Sequence, residues 1–194
     1  MKQILQTLQP SQITLLESYA NLLLHWNTIH NLSGAKDLPS IQKNIQDSLY
    51  PLNLESLNLW VKTSLLDVGS GNGFPSIPLG IVLNIPTILC EPNTKKSAFL
   101  QNIKANLNLK NFTIQRKKIE LLELDYKPKL ITSRATFNVK EFLEKCSAHI
   151  AQDTTILLYK GSNFKNEIPQ GLRYKHFQHG LLHYLIISGE DLKC

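Results

Sequence analysis

The sequence predicts an α/β domain built on a seven-stranded, mostly parallel sheet that sits behind a short helical extension. Three observations carry this reading. From Ser64 onward, short apolar runs alternate with stretches of helical periodicity; a glycine-rich turn directly follows the first of those runs; and the last two runs have no helix between them. Strands separated by helices need right-handed crossovers and lie parallel, whereas strands joined through a short turn lie antiparallel.

The elements follow in order. Residues 1–60 form the helical extension. Within it Ile13, Leu16, Ala20, Leu23 and Leu24 recur at helical spacing between Ser11 and Asn27, with Ser11 as N-cap behind Pro10. A second helix runs from about Ser40 to Leu49 and ends at Pro51. Residues 61–194 form the main domain. Its strands are expected at Ser64–Val68, Thr87–Cys90, Phe112–Gln115, Leu130–Ser133 and Thr154–Tyr159, then at Leu172–Phe177 and His183–Ser188 as a C-terminal antiparallel hairpin. Helices are expected at Ile77–Leu83, Thr94–Leu107, Ile119–Leu124 and Val139–Ile150.

A chain of 194 residues with 42% hydrophobic and 19% charged residues can bury one sizeable core and is not of disordered composition. No apolar run approaches the ~20 residues of a membrane span. The start Met1-Lys2-Gln3-Ile4-Leu5-Gln6 lacks the features of a signal peptide, so a cytoplasmic protein is expected. Cys90, Cys146 and Cys194 are scattered and form no C-x-x-C pair, which argues for reduced thiols, without disulfide or zinc. The formal charge of +6 points to an anionic partner. Its distribution adds to this. Lys95-Lys96, Arg116-Lys117-Lys118, Arg134 and Lys160 all follow strand candidates, and in an open α/β sheet those ends share the ligand-binding face.

The sharpest local signal is Asp67-Val68-Gly69-Ser70-Gly71-Asn72-Gly73, a D-x-G-x-G-x-G turn between a strand and a helix. Glycines there let the backbone approach a ligand, and the following helix N-terminus favours a negative group. That group is a pyrophosphate in a nicotinamide enzyme and the amino-acid carboxylate in an S-adenosyl-L-methionine (SAM) enzyme. The dinucleotide fingerprint G-x-G-x-x-G would place a third glycine at Phe74; here it comes one residue earlier, as in SAM-binding loops. The outline is therefore that of a class I SAM-dependent methyltransferase, with Asp67, Gly69, Gly71 and Gly73 at the cofactor. Glu91, at the end of the second strand, suits the two ribose hydroxyls.

The substrate is narrowed by what the chain lacks. Enzymes that methylate exocyclic amines carry an Asn/Asp-Pro-Pro-aromatic loop after the fourth strand; the corresponding residues here are Ser133-Arg134-Ala135-Thr136. No cysteine has a nucleophilic context, and no Ser/His/Asp or metal-ligand spacing stands out. A nucleophile that carries no proton needs no base, and guanine N7 is such an atom. The residues equally leave open another RNA or a small molecule as substrate, or a non-catalytic RNA-binding module that retains the loop.

Several segments together resemble one family. Trp26-Asn27 with His30-Asn31-Leu32-Ser33, Asp47-Ser48-Leu49, the run from Leu66 through Gly73-Phe74-Pro75-Ser76-Ile77-Pro78-Leu79, Ser133-Arg134-Ala135 and Lys160-Gly161 are similar to the bacterial small-subunit rRNA methyltransferase G, also called glucose-inhibited division protein B. The resemblance implies methylation of N7 of one guanine in 16S rRNA with SAM as donor. The partner would be 16S rRNA in the small ribosomal subunit or its assembly intermediate, and the protein a monomer that binds neither membrane nor DNA. It implies SAM contacts at Gly69, Phe74, Ile119, Glu120 and Arg134. Catalytic positions would be Arg134, Lys95, Lys160 and Asn31, and RNA-facing positions Lys95, Lys96, Lys117 and Lys160. The guanidinium of Arg134 is expected on the SAM carboxylate or an RNA phosphate, because a bidentate grip on the guanine edge would cover N7. Trp26 is expected to pack between extension and domain. Two positions depart from the family's pattern: Asn44 stands where it has His, and Leu181-Leu182 stands where it has Glu-Arg before His183.

Overall fold

A computed structural model describes residues 6–30 and 34–192, with His30 described in its backbone alone. Its sheet has the strand order β3-β2-β1-β4-β5-β7-β6. The strands are β1 (Leu65–Val68), β2 (Thr87–Cys90), β3 (Phe112–Gln115), β4 (Leu130–Arg134), β5 (Thr155–Lys160), β6 (Lys175–His179) and β7 (Leu182–Ser188). The first five pair in parallel, and β7 runs antiparallel to both β5 and β6. Residues of β1, β2 and most of β4 are buried, which is why these strands read as unbroken apolar runs. The hairpin turns in two residues, Gly180-Leu181, between the paired His179 and Leu182. Gly180 has φ 58 at the first central position, the conformation a type II′ hairpin requires.

The helices that accompany the sheet include α1 (Pro10–His30), α2 (Leu38–Leu49), α3 (Ser76–Leu83), α4 (Thr94–Asn106) and α5 (Val139–Cys146). α2 starts earlier than the sequence suggests, because Asp37 caps it by accepting the Ser40 backbone N–H at 2.8 Å. The stretch Ile119–Leu124, read as a helix, is a single 3-10 turn over Ile119–Leu121. Only Ile119 and Leu122 there are buried, a spacing of three residues that one 3-10 turn already brings to one face. The first hairpin strand begins at Lys175 rather than Leu172, whose N–H closes a turn on the Pro169 carbonyl.

The extension is not a separate packing unit. Leu16, Tyr19, Ala20 and Leu23 of α1 and Ile41, Ile45 and Leu49 of α2 belong to the same apolar cluster as Phe74, Ile77, Leu79, Phe99 and Phe112. Trp26 meets Phe99 edge to face at 5.5 Å, so it packs between extension and domain, as expected. The boundary expected at residue 60 falls shortly before β1, and the apolar cluster continues across it.

β1 has β2 on one side and β4 on the other, so the chain changes direction across the sheet at β1. In open α/β sheets the crevice at the carboxyl ends of the strands flanking such a reversal is where ligands bind. The glycine turn begins there.

Candidate active site

The backbone N–H groups of Gly69 and Ser70 both reach the Cys90 carbonyl, at 2.9 and 3.2 Å, and so fasten the turn to the end of β2. Gly69, Gly71 and Gly73 all have positive φ, 71, 57 and 98. They serve different ends. A Cβ on Gly69 would stand 2.4 Å from the Thr136 side chain, and one on Gly73 would stand 2.4 Å from Ile77 Cδ1 and 3.1 Å from the Tyr19 hydroxyl. Those two glycines allow close packing. A Cβ on Gly71 would meet nothing nearer than the Gly69 carbonyl at 3.8 Å, because Gly71 borders an open cavity. It is the glycine that keeps room for a ligand.

That cavity has a volume of about 630 Å³ and is lined by the turn, Glu91, Lys96, Asn44, Phe74 and Arg134–Thr136 among others. Its size is that of a small-molecule site. A second cavity of about 280 Å³ is lined by Val68, Cys90, Lys117, Ile119, Glu120 and Phe137, among others, and shares Gly69, Pro92 and Thr136 with the first. The two adjoin at the end of β1.

Asp67, expected at the cofactor, does not line either cavity. It is 1% exposed beneath the turn, where its two carboxylate oxygens accept the hydroxyls of Thr132 at 2.6 Å and Ser76 at 2.8 Å. The acid thus ties β1 to β4 and to the first residue of α3. Burial pushes its pKa up to about 6, against the opposing pull of those hydroxyls. Glu91 does line the large cavity, but its carboxylate also holds the loop: it accepts the N–H of Gly71 at 2.7 Å and of Asn93 at 2.8 Å. Two hydrogen bonds leave a carboxylate with further lone pairs for hydroxyls.

Arg134 ends β4, and Ala135 follows with φ 55, a conformation uncommon outside glycine. The guanidinium lies 5.8 Å from the centre of the Phe74 ring, and its Nη2 donates to Asn44 Oδ1 at 2.7 Å. Its Nη1 is buried without a hydrogen-bond partner. The residue lines the larger cavity, so the guanidinium brings a permanent positive charge to its wall. Phe74 in turn packs edge to face on Tyr19 at 5.5 Å, and the Tyr19 hydroxyl donates to the Asn72 carbonyl at 2.8 Å. The extension therefore holds the glycine turn directly.

Asn44 is brought here by α2, whose last turn is anchored on the sheet. The carbonyls of a final helical turn lack helical partners; here the hydroxyls of Tyr159 and Tyr184 donate to those of Ser48 and Asp47, at 2.7 and 3.0 Å. Burial raises both phenols, so they stay protonated and remain donors.

The remaining sequence-derived positions divide. Phe74 and Lys96 line the large cavity; Lys117, Ile119 and Glu120 line the small one, with Ile119 buried. Glu120 is tied to Lys145, whose hydrogen bond holds its carboxyl below the usual range. Lys95 is exposed at the start of α4. Lys160 is not displayed as a free cation: it is 7% exposed, with its ammonium bound by Glu167 Oε2 at 2.7 Å and by the Phe137 carbonyl. Asn31 lies outside the described residues. Cys90 and Cys146 are buried, and burial pushes both thiols up to about 12, which leaves neither a thiolate nucleophile. Among the described residues no group of three or more His, Cys, Asp or Glu could hold a metal ion, and no helix is long and apolar enough to cross a membrane. Sequence reasoning missed Thr136 and Tyr19, and met Asn44 only as a departure from a pattern. Tyr19 left a signal, a polar-tipped aromatic on the apolar face of α1; Thr136 left none.

Residues 12–187 match the family profile described as rRNA small subunit methyltransferase G. Relatives named ribosomal RNA small subunit methyltransferase G include those of Helicobacter bizzozeronii, 43% identical over 79% of this chain and 84% of its own length, and of Helicobacter pylori strain 26695, 42% identical over 79% and 85%. Among solved structures, the chain resembles the Thermus thermophilus 16S rRNA guanine-N2 methyltransferase in complex with S-adenosylmethionine and guanosine, with a TM-score of 0.62 at 16% identity over 75% of this chain and 42% of that one. It also resembles an S-adenosylmethionine-dependent methyltransferase of Methanococcus maripaludis, with a TM-score of 0.59 at 17% identity over 80% and 91%. These two likenesses bear on the fold, that of class I methyltransferases.

Proposed function

The chain belongs to the rRNA small subunit methyltransferase G family, and on that premise we propose that it transfers a methyl group from S-adenosylmethionine to N7 of one guanine in 16S rRNA. The observation that supports it most is the pair of adjoining cavities at the end of β1, with Arg134 among the residues that line the larger of the two. The residues present fit the cofactor. Gly71 leaves the backbone open to an amino-acid moiety, and the guanidinium of Arg134 brings positive charge to the cavity wall for the carboxylate. Glu91 has lone pairs left for the ribose hydroxyls. Ile119, Val68 and Phe137 give the small cavity an apolar wall for adenine, with Glu120 at its rim.

When bound, SAM supplies an electrophilic methyl group on a sulfonium. Guanine N7 brings its own lone pair, so the protein need not remove a proton, and its work is to orient and to exclude water. Arg134, fixed by Asn44 and Phe74, places positive charge between cofactor and base without occupying the N7 edge. Lys95, Lys96 and Lys117 offer ammonium groups to RNA phosphates around the mouth of the cavities. Lys160 acts from within, where its pairing with Glu167 and the Phe137 carbonyl holds the β5 end against the loop that follows Arg134. The protein works as a cytoplasmic monomer on 16S rRNA, in the small subunit or an assembly intermediate.

Mapping methylated bases in 16S rRNA from a strain that lacks the gene tests the reading. One 7-methylguanosine should disappear and return on complementation with the wild-type chain but not with Arg134→Ala. An unchanged 16S rRNA modification pattern would refute it.

A further inference from the structure

We propose that the side-chain amide of Asn44 reads O6 of the target guanine, and that Arg134 sets the polarity of that contact. The inference rests on the guanine-N7 reading and names the residue that selects guanine over adenine.

A guanidinium has donors and no acceptor. Nη2 of Arg134 is 2.7 Å from Asn44, so the end of the amide that faces it must be the oxygen. The two ends of an asparagine amide are otherwise hard to tell apart; here the partner decides. The NH2 end is then turned away from Arg134, and among the described residues it has no hydrogen-bond partner. Asn44 lines the large cavity together with Gly71, Glu91 and Arg134. Rotating the amide by half a turn would set its NH2 against the guanidinium N–H groups and break the charge-assisted bond, so the amide offers the cavity donors only. Its platform is fixed as well. Tyr159 and Tyr184 hold the last turn of α2 by the Ser48 and Asp47 carbonyls, and the Ser48 hydroxyl donates back to the Asn44 carbonyl at 2.7 Å.

A donor that cannot become an acceptor discriminates between purines. Beside N7, guanine presents the O6 acceptor and adenine the N6 amino donor. With N7 committed to the methyl group, O6 is the acceptor next to it, and Asn44 can reach for it without covering the nucleophile. Adenine would set amino group against amide NH2. A site that hydrogen-bonds a substrate group rejects an analogue without it more strongly than an apolar site could.

The test compares single-turnover methylation of 16S rRNA substrates that carry guanine or 2-aminopurine at the target position; 2-aminopurine keeps N7 and lacks O6. Wild-type protein should methylate the analogue at least about tenfold more slowly. Asn44→Asp keeps an oxygen on Arg134 but replaces the NH2 donor by an acceptor. Assayed at saturating SAM, it should lose at least about tenfold on guanine RNA and treat the two RNAs alike within about twofold. The inference is overturned if wild-type protein methylates both RNAs equally, a comparison that needs no variant to fold. It is equally overturned if Asn44→Asp discriminates against 2-aminopurine as strongly as wild type. A third RNA with 7-deazaguanine separates the two readings: methylation of it would refute N7 as the nucleophile, whereas its inertness beside equal rates on the first two would refute only the role of Asn44.

Discussion

Replacing Asp67 by Asn should leave SAM affinity unchanged and alter how stability depends on pH. The acid is buried beneath the glycine turn and accepts the hydroxyls of Thr132 and Ser76. Both hydroxyls can rotate to accept as well as donate, so an asparagine amide can replace the carboxylate between them. Burial is the dominant cause that carries the pKa of Asp67 from 3.8 to about 6. With the folded value above the unfolded one, the native state holds more protons in that interval, and stability falls as pH rises from about 4 through 6. Once the group is fully ionised the gap amounts to about 3 kcal/mol, of which about 2 kcal/mol develops between about pH 4.5 and 7.5. The amide of the variant does not titrate. Urea unfolding of both proteins at those two pH values should show their stability difference moving by about 2 kcal/mol in favour of Asp67→Asn at the higher pH. Other titrating groups cancel in the comparison. A pH-independent difference would refute the buried, structural role, and so would a tenfold loss of SAM affinity in a folded variant.

Three further outcomes follow from the same geometry. Gly71→Val should abolish SAM binding in a folded protein, whereas Gly73→Ala, whose Cβ would collide with Ile77, should lower the melting temperature; calorimetry and thermal unfolding of the pair would show the roles reversed if the assignment is wrong. Tyr19→Phe removes the hydrogen bond to the Asn72 carbonyl and should cost about 1–3 kcal/mol of stability and weaken SAM binding as the glycine turn loosens; unchanged SAM affinity would uncouple the extension from the loop. RNA affinity should fall with salt, and changing Lys95 and Lys117 to Gln should flatten the slope of log K against log salt by about two, while Lys160→Gln should leave the slope unchanged because that ammonium is already paired inside the protein; a smaller slope for Lys160→Gln would show that it reaches phosphate.

What could be read from the chain alone was whatever is local or periodic. β1, β2, β4 and β5 stood out because strands buried on both faces read as nearly unbroken apolar runs, and the hairpin because a turn at Gly180 leaves no room for a crossover helix. The D-x-G-x-G-x-G turn located the ligand crevice, and the company of Trp26, Asp47-Ser48 and the Gly73-Phe74-Pro75 run gave the family. The tertiary structure alone decided which of these residues face the crevice. Asp67 and Lys160 look like site residues in sequence, yet one is spent under the turn and the other is neutralised by Glu167, because burial obliges a charge to find partners wherever the fold provides them. Tyr19, Asn44 and Thr136 look ordinary in sequence and stand at the site, since α1, α2 and the end of β4 meet only when the extension packs into the same core as the sheet. Spacing along the chain fixes which elements form; the polarity of a contact such as Asn44 with Arg134, 90 residues apart, exists only once those elements are packed.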